Sequence, residues 1–135
     1  MVEHTVRIAA RRETVWRYWT DAERISAWWG AAAELDPRPG GAFHVELGGG
    51  PVMEGEFLEL VPNERIVFSF GWAATEGAPG VPPGSTRVEI TLTADGEDTI
   101  LALRHSGLPA PHVEDHRSGW RHFLPILATA AARAT

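Results

Sequence analysis

From residue 31 to residue 105 apolar and polar positions largely alternate, and helical spacing appears before and after that stretch. Residues 2–9 set Val2, His4, Val6 and Ile8 against Glu3, Thr5 and Arg7, the two-residue repeat of a half-buried strand. Residues 13–20 break that repeat: Val15, Trp16 and Trp19 share one helical face, with Glu13 and Arg17 outside. Asp21 supplies a cap for a second short helix over residues 22–28, and Gly30 ends it. Six strands are then expected. Residues 31–35 run into the turn Asp36-Pro37-Arg38-Pro39-Gly40-Gly41, and residues 42–47 place Phe43, Val45 and Leu47 on one face. Residues 52–60 carry apolar side chains on both faces, so the pattern leaves open which of Glu54 and Glu56 points inward. Residues 65–72 align Ile66, Phe68, Phe70 and Trp72, residues 86–93 align Val88, Ile90 and Leu92, and residues 99–105 align Leu101, Leu103 and His105. Asp95-Gly96 makes a tight hairpin between the last two.

The chain closes with a helix expected over residues 113–133, where Trp120, Phe123, Leu124, Leu127 and Ala131 recur at helical spacing. Pro125 removes the amide bond to the Arg121 carbonyl, so a kink is expected there. Only this helix is long enough to cover the apolar face of an antiparallel sheet. The pattern therefore predicts an α+β fold, in which a curved antiparallel sheet grips a long C-terminal helix, with two short helices after the first strand. Phe43, Phe68, Ile90, Leu103, Trp120 and Leu124 are expected to be buried together. Residues 73–85, rich in Gly and Pro with almost no apolar anchor, read as a mobile loop beside a pocket entrance.

Composition narrows the function more than the fold. The 135 residues suit one domain over residues 1–135. Cysteine is absent, which excludes disulfides, thiolate catalysis and Cys-based metal sites. Lysine is absent too, all twelve basic residues being Arg, so Schiff-base chemistry is excluded. A net charge of −6 argues against nucleic acid as a partner. The first residues lack the apolar centre of a signal peptide, and the longest apolar run, residues 123–132, is too short to span a bilayer. No membrane partner is expected, and a cytoplasmic location is. Six Trp in so short a chain suit a core that also lines a cavity.

The order of motifs adds a resemblance. Val15-Trp16, Thr20-Asp21-Ala22-Glu23 and Ala27-Trp28-Trp29-Gly30 are followed by Pro39-Gly40-Gly41-Ala42-Phe43 and Gly55-Glu56-Phe57-Leu58-Glu59. Then come Glu64-Arg65-Ile66-Val67-Phe68-Ser69-Phe70, His105-Ser106-Gly107-Leu108-Pro109 and Gly119-Trp120. The ordered series resembles the START-like helix-grip (SRPBCC) superfamily, in the branch named for the activator of heat-shock-protein-90 ATPase homologue. The resemblance implies a hydrophobic pocket between sheet and helix and a small hydrophobic or amphipathic ligand. It implies no cofactor and no shared catalytic set. A polyketide cyclase or dehydratase activity is an alternative use of the same cavity, and a chaperone-ATPase-activator-like interaction is a second alternative. A homodimer is left open.

Candidate chemistry follows from the same faces. The pocket is expected to be lined by Trp29, Phe57, Phe70, Leu103, His105, Trp120 and Phe123, with His105 the polar group that orients a ligand. His105 has a competing reading as a buried, neutral, structurally bonded ring. Trp28 and Trp29 point about 100° apart on a helix, so one is expected under the sheet and the other at the cavity mouth, or both in the core. His105, a Glu or Tyr18 is the proton-transfer candidate for the enzyme reading. His112 and His116 have the i, i+4 spacing of helical metal sites, but Val113 stands where a zinc protease needs Glu, and a solvated helix start is preferred. The glycines at 48–50 read as a turn, since no Lys and no helix follow. No catalytic residue is assigned and no metal is expected.

Overall fold

The computed structural model describes residues 1–48, 51–73 and 80–134. Strand β1 (Val2–Ile8) leads into helices α1 (Arg12–Thr20) and α2 (Ala22–Ile25). Six strands follow: β2 (Ala32–Leu35), β3 (Ala42–Glu46), β4 (Val52–Val61), β5 (Arg65–Phe70), β6 (Thr86–Asp95) and β7 (Asp98–Ser106). A 3₁₀ turn at Ala110–His112 opens helix α3 (Val113–Arg133). All seven strands form one curved antiparallel sheet in the order β1-β7-β6-β5-β4-β3-β2, and α3 covers its inner face.

Local chemistry sets the ends of these elements. The Asp21 carboxylate accepts hydrogen bonds from the Glu23 and Arg24 amides at 2.9 and 3.3 Å, capping α2 as expected. The second helix is shorter than its sequence pattern implied and ends at Ile25. Gly30 then turns the chain at φ 91°, where a Cβ would lie 2.8 Å from the Glu46 carbonyl oxygen. That close approach lets the Ala31 amide reach the same oxygen at 2.7 Å and aligns β2 on β3. Helix α3 continues through Pro125, whose ring is on the exposed side.

The core lies where strand parity and helical period meet. Phe43, Phe57, Ile66, Phe68, Ile90, Leu101 and Leu103 face Trp120, Leu124 and Leu127 of α3 in one buried cluster, which contains all six residues expected together. Trp19 joins it from α1, and Trp28 and Trp29 from the turn that follows α2. The Phe43 and Phe68 rings stack at 4.0 Å, and Trp19 meets Trp28 edge-on at 4.7 Å. A bulge explains the two-sided pattern of β4. Phe57 pairs with Phe68 and Glu59 with Val67, so one extra residue enters β4 and its parity changes. Phe57 stays inside, while Glu54 and Glu56 both line a basin on the outer face.

The loop expectation needs a correction where the chain is described. Residues 74–79 lie outside the described residues. Beyond them Val81 is fully buried, its carbonyl accepts from the Trp72 amide at 2.8 Å, and the Gly84 amide donates to Glu54 at 3.1 Å. This end of the segment therefore has an apolar anchor and backbone partners. The glycines at 49 and 50 are likewise outside the described residues.

Candidate functional site

The ends of β5, β6 and β7 bring Phe70, Thr86 and His105 to the end of the sheet where α3 begins. The first turns of α3 carry His116 and Trp120, one helical repeat apart, onto the same place. A tight polar knot results inside an apolar wall. The Thr86 hydroxyl donates to the Phe70 carbonyl at 2.8 Å, so its oxygen accepts from His105 Nε2–H at 2.8 Å. The other ring nitrogen, Nδ1, accepts from the Trp120 indole N–H at 3.0 Å. The network assigns the Nε2–H tautomer and engages both nitrogens. Burial, with a smaller contribution from His116, pushes the His105 pKa down to about 3, so the ring is neutral.

His116 repeats the arrangement with its nitrogens exchanged. Its Nδ1–H donates to the His112 carbonyl at 2.7 Å, and its Nε2 accepts from the Trp72 indole N–H at 2.9 Å. Burial lowers its pKa as well, against the opposing pull of the bond to the His112 carbonyl. No lone pair of His116 is left for a metal, so the i, i+4 histidine pair is accounted for by hydrogen bonds rather than ligation. The Phe70 ring packs against both histidines, 4.5 Å from His105 and 5.6 Å from His116, and the two histidine rings are 5.7 Å apart.

Beside this knot is an apolar cleft of about 370 Å³ lined by Trp29, Leu47, Pro51, Phe70, Trp72, Asp115, His116, Gly119, Trp120 and Phe123. Trp29, Phe70 and Trp120 are its nearly closed floor, each 2–3% exposed, and Trp72 and Phe123 are half-buried above them. The interior beneath is filled with rings, so the space is an open cleft rather than a closed cavity. Four of the seven expected lining residues, Trp29, Phe70, Trp120 and Phe123, are on this wall. Phe57 and Leu103 are buried away from it, and His105 is behind Trp120 and Phe70. The physical reason is the packing of rings: strand parity puts Leu103 and His105 on the inner face, and α3 then covers them. Trp28 is core, its indole N–H donating to the Tyr18 carbonyl at 2.8 Å. Tyr18 donates to the Ala130 carbonyl at 3.4 Å, toward the far end of α3.

Leu47, Trp72, Asp115 and His116 were not expected in the lining. Trp72 stood on the right strand face, but its isolated bridge to Met53 and its bond to His116 arise only in the folded chain. A larger basin of about 570 Å³ opens on the outer face among Glu54, Glu56, Ser69 and Arg87. It is wide and polar, and the apolar cleft is the better match to a small-molecule site.

Comparison with known proteins agrees with the fold. Residues 9–132 match the family described as activator of Hsp90 ATPase homolog 1-like protein, and the chain belongs to that family. The human Activator of 90 kDa heat shock protein ATPase homolog 1 is 30% identical over 112 residues, which cover 82% of this chain. The matched part is 30% of that protein, so the chain spans less than a third of the curated relative's length. An AHSA1-like protein from Rhizobium etli is 41% identical with a TM-score of 0.74, over 97% of this chain and 81% of that one. The Aha1 dimer from Colwellia psychrerythraea has a TM-score of 0.80 at 18% identity, over 97% and 95% of the two chains, a likeness of fold alone. Among the described residues no helix is long and apolar enough to cross a membrane.

Proposed function

We propose that the protein binds a small hydrophobic or amphipathic molecule in the cleft between the inner sheet face and the start of α3. The observation that carries this reading is the cleft itself: about 370 Å³, bounded mainly by aromatic rings, with few polar groups. Volumes of this order suit small organic ligands, and a few fixed polar groups suffice to orient them. Trp29, Phe70, Trp120 and Phe123 are its contact residues, together with Trp72 and Leu47. Phe57, Leu103 and His105 act from behind, holding those rings in place. The chain acts as one domain in the cytoplasm, and the dimer of the Colwellia protein makes a homodimer worth measuring.

A binding role fits the engaged histidines better than catalysis does. His105 and His116 each have both nitrogens in hydrogen bonds, so neither is a ready general base. The second reading, stimulation of a chaperone ATPase, is favoured by the likeness to the human activator. An ATPase assay with purified chaperone separates it from ligand binding.

The direct test is a titration with hydrophobic probes, read by tryptophan fluorescence, in the wild type and in Phe123→Ala. Three indoles border the cleft, so saturable quenching or a spectral shift is expected. Removing the half-buried Phe123 ring weakens binding at least about fivefold, or about 1 kcal/mol. If no probe class binds the wild type, the reading is wrong.

A further inference from the structure

The chemistry of the cleft wall discriminates among ligands by charge, an inference that rests on reading the cleft as a ligand site. Five rings meet there at different angles. Trp29 and Trp120 are 5.1 Å apart at 53°, Phe70 and Trp72 are 5.4 Å apart at 83°, and Trp29 and Phe123 are 6.5 Å apart at 53°. Aromatic faces carry negative electrostatic potential and attract cations. Among the described residues the lining contains no Arg, and its one acidic side chain is Asp115, exposed in the first turn of α3. Glu114 shares that turn and partly offsets the positive end of the helix. The nearby Arg117 is engaged by Glu114.

Most of the hydrogen-bond donors that would hold an anion are already engaged. Of the three indole N–H groups around the cleft, two are engaged, that of Trp72 by His116 and that of Trp120 by His105, which leaves the Trp29 N–H as the one indole donor there without such a bond among the described residues. The Nδ1–H of His116 donates to a backbone carbonyl. The Trp72 bond also fixes the plane of its indole, so the ring is held in place before any ligand arrives. A carboxylate or phosphate would meet ring faces and the Asp115 charge with little to satisfy it. A neutral apolar group would gain burial alone. An ammonium on an apolar body gains burial, contact with ring faces and attraction to Asp115.

We propose that the cleft selects an organic cation, a tertiary or quaternary ammonium carried on an aryl or alkyl body. The ammonium sits by Trp72, Phe123 and Asp115 at the mouth, and the body rests on Trp29 and Trp120.

The test uses three probes with one benzyl body: benzyltrimethylammonium, its uncharged isostere neopentylbenzene, and the anion phenylacetate. Isothermal titration calorimetry on the full chain gives the three affinities. The cation is expected to bind at least about tenfold tighter than the neutral isostere, and phenylacetate more weakly than either. Asp115→Asn is expected to weaken the cation about threefold and leave neopentylbenzene unchanged, because the carboxylate is exposed and acts through a screened attraction. Neopentylbenzene binding as tightly as the cation overturns the charge preference while leaving the cleft as a ligand site, and Asp115→Asn without effect on the cation overturns the placement of the ammonium beside Asp115. Binding of none of the three to the wild type overturns both.

Discussion

Acidification should unfold this protein through one buried ring. In the unfolded chain His105 titrates near the ordinary histidine value of about 6.5. In the fold it is pushed down to about 3, chiefly by burial and with a smaller contribution from His116, and its Nδ1 lone pair accepts from the Trp120 N–H. A proton on Nδ1 would set two donors against each other in an apolar wall. Between the two pKa values the unfolded state therefore binds the extra proton. Stability is full above about pH 6.5 and falls as the pH drops toward 3. Linkage puts the loss from pH 7 to pH 5 at about 2 kcal/mol, a window in which most carboxylates are still ionised. Below pH 5 the slope from this group continues at up to about 1.4 kcal/mol per pH unit. Urea denaturation followed by tryptophan fluorescence at pH 7, 6 and 5 measures it. His105→Gln is less stable than the wild type at pH 7, since the ring and its network are lost, but most of the pH 7 to 5 decline disappears. His116, also lowered by burial, keeps a smaller share of the slope. An unchanged decline in His105→Gln would refute the assignment of the buried neutral tautomer as the acid-sensitive element.

Two further outcomes test the packing. Trp120→Ala removes a ring that is 3% exposed and leaves the His105 Nδ1 without its donor, so a loss of about 3–5 kcal/mol in urea denaturation is expected; a loss under about 1 kcal/mol would show that the indole is not core. Gly30→Ala places a methyl group at φ 91° against the Glu46 carbonyl and Val45, and is expected to cost at least about 1–2 kcal/mol, seen as a lowered thermal midpoint; unchanged stability would mean that the Gly30 turn differs from the one described.

The fold was legible in the order of residues because its signals are local. Alternation on β3, β5, β6 and β7, helical spacing on α1 and α3, and the Asp21 cap are each set by neighbours a few residues away. Periodicity also named the inward residues, and α3 does meet the inner face of the sheet. Family-wide motif order supplied the pocket expectation, which periodicity alone does not contain. Depth within the core was decided elsewhere. His105 and Leu103 face inward as their parity requires, yet whether an inward side chain meets a ligand or another ring depends on how rings from separate elements fill one space. The partners of His105 come from Thr86 and Trp120, 19 and 15 residues away in the chain, and Trp72 finds His116 across 44 residues. The bulge between Phe57 and Glu59, which changes the parity of the rest of β4, is a property of the pairing between β4 and β5. Sequence pattern assigns a side chain to a face; only the closed packing of sheet, short helices and α3 determines which members of that face remain open to solvent.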